Sequence, residues 1–135
     1  MTADKTEMTA EQKALFDYLL RLGDNAVVLS HRLGEWCGHA PVLEEDIALI
    51  NVALDLLGQA RAIMTYAAEV EGQGRDEDAL VYRRDGIDYR NLLLVEQPND
   101  DDFAIAIARQ FLFDAWHYEL QKALLESSDE RLRAI

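Results

Sequence analysis

Between Pro41 and Gly72 runs an unbroken helical pattern, and it limits what the chain can become more than any other feature. Glu44, Glu45 and Asp46 crowd its first turn, where carboxylates favour the positive end of the helix dipole. Apolar residues then recur almost continuously from Ile47 through Ile63. Roughly 30 residues at a rise of about 1.5 Å give a rod about 45 Å long, more than an average globular helix. A helix apolar nearly all round is expected at the centre of a bundle, buried by its neighbours.

The flanking segments supply those neighbours. Thr9 followed by Gln12 reads as a capping box, and Leu15, Leu19, Leu22, Ala26, Leu29 and Leu33 then keep one apolar face at steps of three and four. Gly23 and Gly34 weaken this first helix by about 1 kcal/mol each relative to alanine, and the run from Gly38 to Pro41 ends it. Residues 1–9 are expected to be flexible. Residues 73–100 form a less regular connector, with a short helix predicted within Arg75 to Arg84. The apolar run Leu92 to Val95 in it is too short for an independent helix. Pro98 to Asp102 stops that run and caps a third long helix from Phe103 to about Glu126. Its expected core residues are Phe103, Ile107, Phe111, Trp116, Leu120 and Leu124. Ser127 to Asp129 break and recap before the last residue, Ile135. No strand-like alternation appears, so the fold class is all-α: an antiparallel helical bundle forming a single domain over 1–135.

Charge narrows the partners. With 26 acidic and 13 basic residues the formal charge is −13, which repels phosphate backbones and anionic lipid. Nucleic acid and membrane are not expected partners, no apolar run is expected to reach the length of a bilayer span, and a cytoplasmic location is the default. The single cysteine, Cys37, forms no internal disulfide and reads as a small packed residue. His31 and His39 read as surface or capping residues.

Two polar stripes interrupt the apolar helices. Asn51, Asp55 and Gln59 lie at steps of four on the second helix; Gln110, Asp114, His117 and Gln121 lie on the third. If buried they must face something polar, and two facing stripes would make an internal network where four-helix di-iron proteins build their metal sites. Asp114 and His117 have the i, i+3 spacing of a carboxylate–imidazole ligand pair. A hydrogen-bonded core pair or a partly solvated face is the expected role, with metal ligation as the alternative. Asn and Gln are poor iron ligands, so Asn51, Asp55 and Gln59 read as a metal-free network. Trp36 and the run Leu92 to Val95 are expected in the core, with a partner surface as the alternative.

The stretches LRLGDNAVVLSHRLGEWCGHAPVLEEDIALINVALDLLGQAR, NLLLVEQPNDDDFA and ARQFLFDAWHYEL resemble the PaaC-type subunits of bacterial phenylacetyl-CoA epoxidase (phenylacetate-CoA oxygenase) complexes. The resemblance covers nearly everything after residue 14. It implies a ferritin-like bundle, whose fourth core helix is expected beyond Ile135, and a role in aerobic phenylacetate breakdown, where the complex converts the ring of phenylacetyl-CoA to an epoxide. It also implies that the di-iron centre belongs to a related PaaA-type catalytic subunit, which this subunit pairs with and supports. In that catalytic subunit a D-E-x-G-H-G segment follows a W-x-x-x-A-P turn. Here the turn is Trp36 to Pro41, and the matching segment is Asp55, Leu56, Leu57, Gly58, Gln59, Ala60. The ligand glutamate falls on Leu56 and the ligand histidine on Gln59, so the resemblance implies a degenerate site with no metal, catalytic or cofactor-binding residues of its own. The pseudo-site candidates are Asn51, Asp55, Leu56, Gln59, Asp114 and His117. A subunit that itself binds a di-metal centre is the alternative. Exposed apolar faces on an incomplete bundle also predict self-association.

Overall fold

The computed structural model describes residues 7–135. Residues 1–6, most of the segment expected to be flexible, lie outside the described residues, whereas Met8 packs against the core and Thr9 caps the first helix. The order is α1 (Ala10–Gly34), α2 (Leu43–Glu71), α3 (Glu77–Tyr82), a 3-10 turn (Gly86–Asp88), α4 (Leu93–Glu96), α5 (Phe103–Leu124) and α6 (Glu130–Ala134). No strand occurs among the described residues.

Local chemistry explains the boundaries. The capping box forms as expected: Thr9 N donates to Gln12 Oε1 at 2.9 Å and Gln12 N donates to Thr9 Oγ1 at 3.1 Å. In the turn after α1, Gly38 N donates to Asp46 Oδ2 at 2.8 Å, tying the loop to the first turn of α2. Gly72 closes α2 with φ 64°, the left-handed cap that glycine adopts without a Cβ penalty.

Helices α1 and α2 lie antiparallel and make the core. Leu19, Leu29 and Leu33 of α1 and Met64 and Ala67 of α2 are fully buried. Gly23 leaves room for the buried Met64 side chain of α2, because a Cβ there would sit 2.5 Å from Met64 Cε and the methionine would have to shift. Helix propensity alone makes Gly23 a weak point, and the close approach supplies the reason for it that propensity does not carry.

Buried polar side chains position the connector. Asp24, fully buried in α1, receives a two-pronged ion pair from Arg84 and a hydrogen bond from Arg90 N at 2.8 Å. Asn25 Oδ1 accepts from Leu92 N at 2.7 Å. The Arg84 guanidinium also lies 4.6 Å from the Tyr89 ring, and Tyr89 donates to Val81 O. A second hub joins α1 to α5: Asn99 Nδ2 donates to Arg32 O, Arg109 donates to Asn99 Oδ1 and Gln97 O, and Arg32 donates to Glu96 O. Burial, with the nearby Arg32 charge, holds the Arg109 guanidinium below its usual pKa. At the far end Asp129 caps α6 and accepts from Tyr66 Oη at 2.6 Å, while Arg131 pairs with Glu69 and covers the Tyr66 ring.

Several expectations need correction. Helix α2 is not buried all round: its inner face packs, but Ile47, Leu54 and Leu57 are exposed, because α1 and the short α3 cover only part of it. Helix α2 is long and apolar enough to cross a membrane by length and composition, contrary to the sequence expectation. Its packed face on α1 equally suits a core helix. In α5 the buried face is Ala106, Arg109, Gln110 and Phe113, and the expected core residues Ile107, Phe111 and Trp116 are exposed. Apolar spacing in a helix that is hydrophobic on several sides does not say which side is covered. Cys37 is exposed, not packed. Trp36 is in the core, edge-on to Phe103 at 5.4 Å. Val95 is fully buried within α4 while Leu93 projects outward, so the 92–95 run divides between core and surface.

Candidate functional site: a polar seam between three helices

Where α1, α2 and α5 converge, a narrow cleft is lined by Asn25, Gln59, His117 and Gln121 among Leu22, Ile63, Phe113 and Trp116. This is the place the two polar stripes were expected to meet, and they meet only in part. Gln59, His117 and Gln121 share the cleft. Asn51 and Asp55 are exposed and do not line the cleft. Leu56 is buried in the apolar core. Asp114 is exposed as well.

The hydrogen bonding also differs from the expected Asp114–His117 pair. Each bonds one turn along α5 instead: Gln110 Nε2 donates to Asp114 Oδ1 at 2.8 Å, and Gln121 Nε2 meets His117 Nε2 at 2.8 Å. That second contact requires His117 Nε2 to be the unprotonated acceptor. Burial lowers the His117 pKa, the Asp114 charge opposes this, and burial wins. The ring lies near-parallel to Trp116 and close to Phe113, which limits how it can turn. Gln110 Oε1 is buried without a partner.

Sequence reasoning placed no first-helix contribution to the seam. The structure supplies Asn25, and the available signal was the polar pair Asp24–Asn25 inside an apolar helical face. The seam thus presents one imidazole and three amides, and Leu56, buried in the apolar core, does not line it. A carboxylate-bridged di-iron centre requires glutamates from several helices together with histidines. The residues present do not fit it. Among the described residues no three His, Cys, Asp or Glu side chains come together to hold a metal ion.

A family model described as phenylacetic acid catabolic protein matches residues 1–135. The chain belongs to the phenylacetic acid catabolic protein family. Over 118 residues it is 62% identical to the C-type subunit of the 1,2-phenylacetyl-CoA epoxidase of Escherichia coli (strain K12), a match covering 87% of this chain and 47% of that protein. The chain therefore spans about half the length of the curated relative it matches. In this member of the phenylacetic acid catabolic family, the all-helical core is the ferritin-like bundle that the resemblance implied.

Proposed function

We propose that this chain is part of a non-catalytic, structural subunit of a multicomponent oxygenase that epoxidises the ring of phenylacetyl-CoA. In this reading it pairs with a PaaA-type catalytic subunit that holds the di-iron centre, in the cytoplasm, without nucleic-acid or membrane partners. The identity to one subunit of a phenylacetyl-CoA epoxidase supports the pathway. The donor set of the seam is the observation that carries the structural role: Gln59, Gln121 and Asn25 offer only neutral amides beside the single imidazole of His117, and Leu56, at the matching ligand position, is a buried alkyl chain.

What remains for the chain to do is present helical surface. Phe111, Leu112 and Tyr118 on α5 and Leu43 and Leu54 on α2 are each more than half exposed, far more apolar surface than scattered residues explain. These faces suit helices of a partner subunit or of a second copy.

The test is metal content together with capture. The protein produced with excess iron is expected to hold less than about a tenth of an equivalent per chain and to retain the catalytic subunit on an affinity column. Near two iron atoms per chain would make it a di-metal subunit and overturn the structural reading.

A further inference from the structure

Ile87 is the most exposed large apolar side chain among the described residues, at 87%. It occupies the middle of the 3-10 turn Gly86–Asp88, in the connector between α3 and α4. A singly exposed apolar residue is ordinary and needs no explanation by itself. The support beneath this one sets it apart.

The turn is closed on itself by three hydrogen bonds. Asp88 N donates to Asp85 O at 2.8 Å, Tyr89 N to Gly86 O at 3.3 Å, and Asp85 N to Asp88 Oδ2 at 3.2 Å. Arg84 ties it to the core: Nη1 donates to Asp88 O at 3.2 Å, Nε donates to Leu80 O, and the guanidinium pairs with fully buried Asp24 of α1. Tyr89 braces Arg84 in turn, with its ring 4.6 Å from the guanidinium and its hydroxyl donating to Val81 O at 2.6 Å. Yet the turn buries no residue of its own. What these bonds hold in place is an isoleucine in water. A side chain presented on a fixed backbone loses less freedom on binding, and an apolar anchor of that kind contributes most when a partner encloses it.

Charge selects the partner. Asp85 and Asp88 flank Ile87, both are exposed, and neither joins an ion pair among the described residues. The exposed Arg83 and Arg90 lie outside the turn, and the whole chain carries a formal charge of −13. A second copy would bring like charge against this face, whereas a basic surface complements it.

We infer that Ile87 is a binding anchor for a different polypeptide, seated in an apolar socket whose rim carries lysine or arginine against Asp85 and Asp88. Assigning that socket to the catalytic subunit rests on the function proposed above.

The experiment measures the rates at which the immobilised 135-residue chain captures and releases the PaaA-type catalytic subunit. Ile87→Asp is expected to weaken capture about tenfold or more, and Ile87→Leu to hold it within about twofold. Circular dichroism and melting temperature should not move in either, because the side chain is exposed. Asp85→Asn combined with Asp88→Asn removes charge but keeps an oxygen to accept from the residue 85 N–H. That variant should slow association and flatten its dependence on salt. Capture that Ile87→Asp leaves intact overturns the anchor and spares the pairing of subunits, whereas no capture by the unmodified chain overturns both. An unchanged salt dependence in the asparagine variant overturns the basic rim. Light scattering in which Ile87→Asp dissolves a dimer of this chain would make the occupant a second copy and overturn the inference too.

Discussion

Asp24 is the residue on which most depends. A carboxylate at the middle of an apolar helical face is costly to bury unless its charge is met, and here Arg84 and the Arg90 amide meet it. Asp24→Ala leaves the buried Arg84 guanidinium without its partner and frees the connector. It should cost about 3–5 kcal/mol in chemical denaturation, far more than its loss of packing volume. His117 makes a pH prediction. Its folded pKa is lowered from 6.5, by burial first and against the Asp114 charge, so the native state favours the neutral ring. The stability this contributes is complete above the unfolded pKa and is lost as pH falls through the folded one. NMR titration should place the His117 midpoint below 6.5, and Asp114→Asn should move it lower still. A midpoint at or above the ordinary histidine value would show that the ring is not desolvated in the cleft.

Among the elements, α1 and α2 are set by an opposition between helix propensity and close approach. Alanine is favoured over glycine inside a helix by about 1 kcal/mol. At Gly23 that gain is outweighed, because the new Cβ would meet fully buried Met64 at 2.5 Å and force the methionine out of its site. Gly23→Ala should therefore destabilise by about 1–2 kcal/mol. Gly58, on exposed α2 surface with nothing within 4 Å of an added Cβ, shows the propensity effect alone. Gly58→Ala should stabilise by about 0.5–1 kcal/mol. Thermal melts of the two variants, moving in opposite directions, would check the pair. The short α6 owes its place to one cluster: Tyr66, pushed up to about 12 by burial and by its hydrogen bond to Asp129, stays a donor through the neutral range.

For the whole molecule, surface apolarity and net charge act against each other. The exposed faces of α2 and α5 favour association, while a formal charge of −13 repels like copies. Screening weakens the repulsion and leaves the apolar attraction. Light scattering on a size-exclusion column should find association that increases from low to moderate salt. A monomer at every salt concentration would sink self-association and leave a different partner as the cover for these faces.

Much of this was present in the residues. Caps, breaks and the order of three long helices follow from local chemistry: Thr9 with Gln12, the acidic first turn of α2, Gly72, and Asp102 before Phe103. Those signals act within a few residues and need no neighbours. The long motifs likewise carry the family. What the linear order does not hold is which side of an all-round apolar helix is covered, and so Phe111 and Trp116 were expected inside while Arg109 and Gln110 went there. The seam shows the same limit: Asn51, Asp55 and Gln59 share one stripe, yet only Gln59 reaches the cleft of His117, because the placement of α5 across the pair α1–α2 decides which turn of α2 it meets. Asp24 and Asn25 find their partners at separations of 60 and 67 residues, and contacts of that range exist only once the helices are packed.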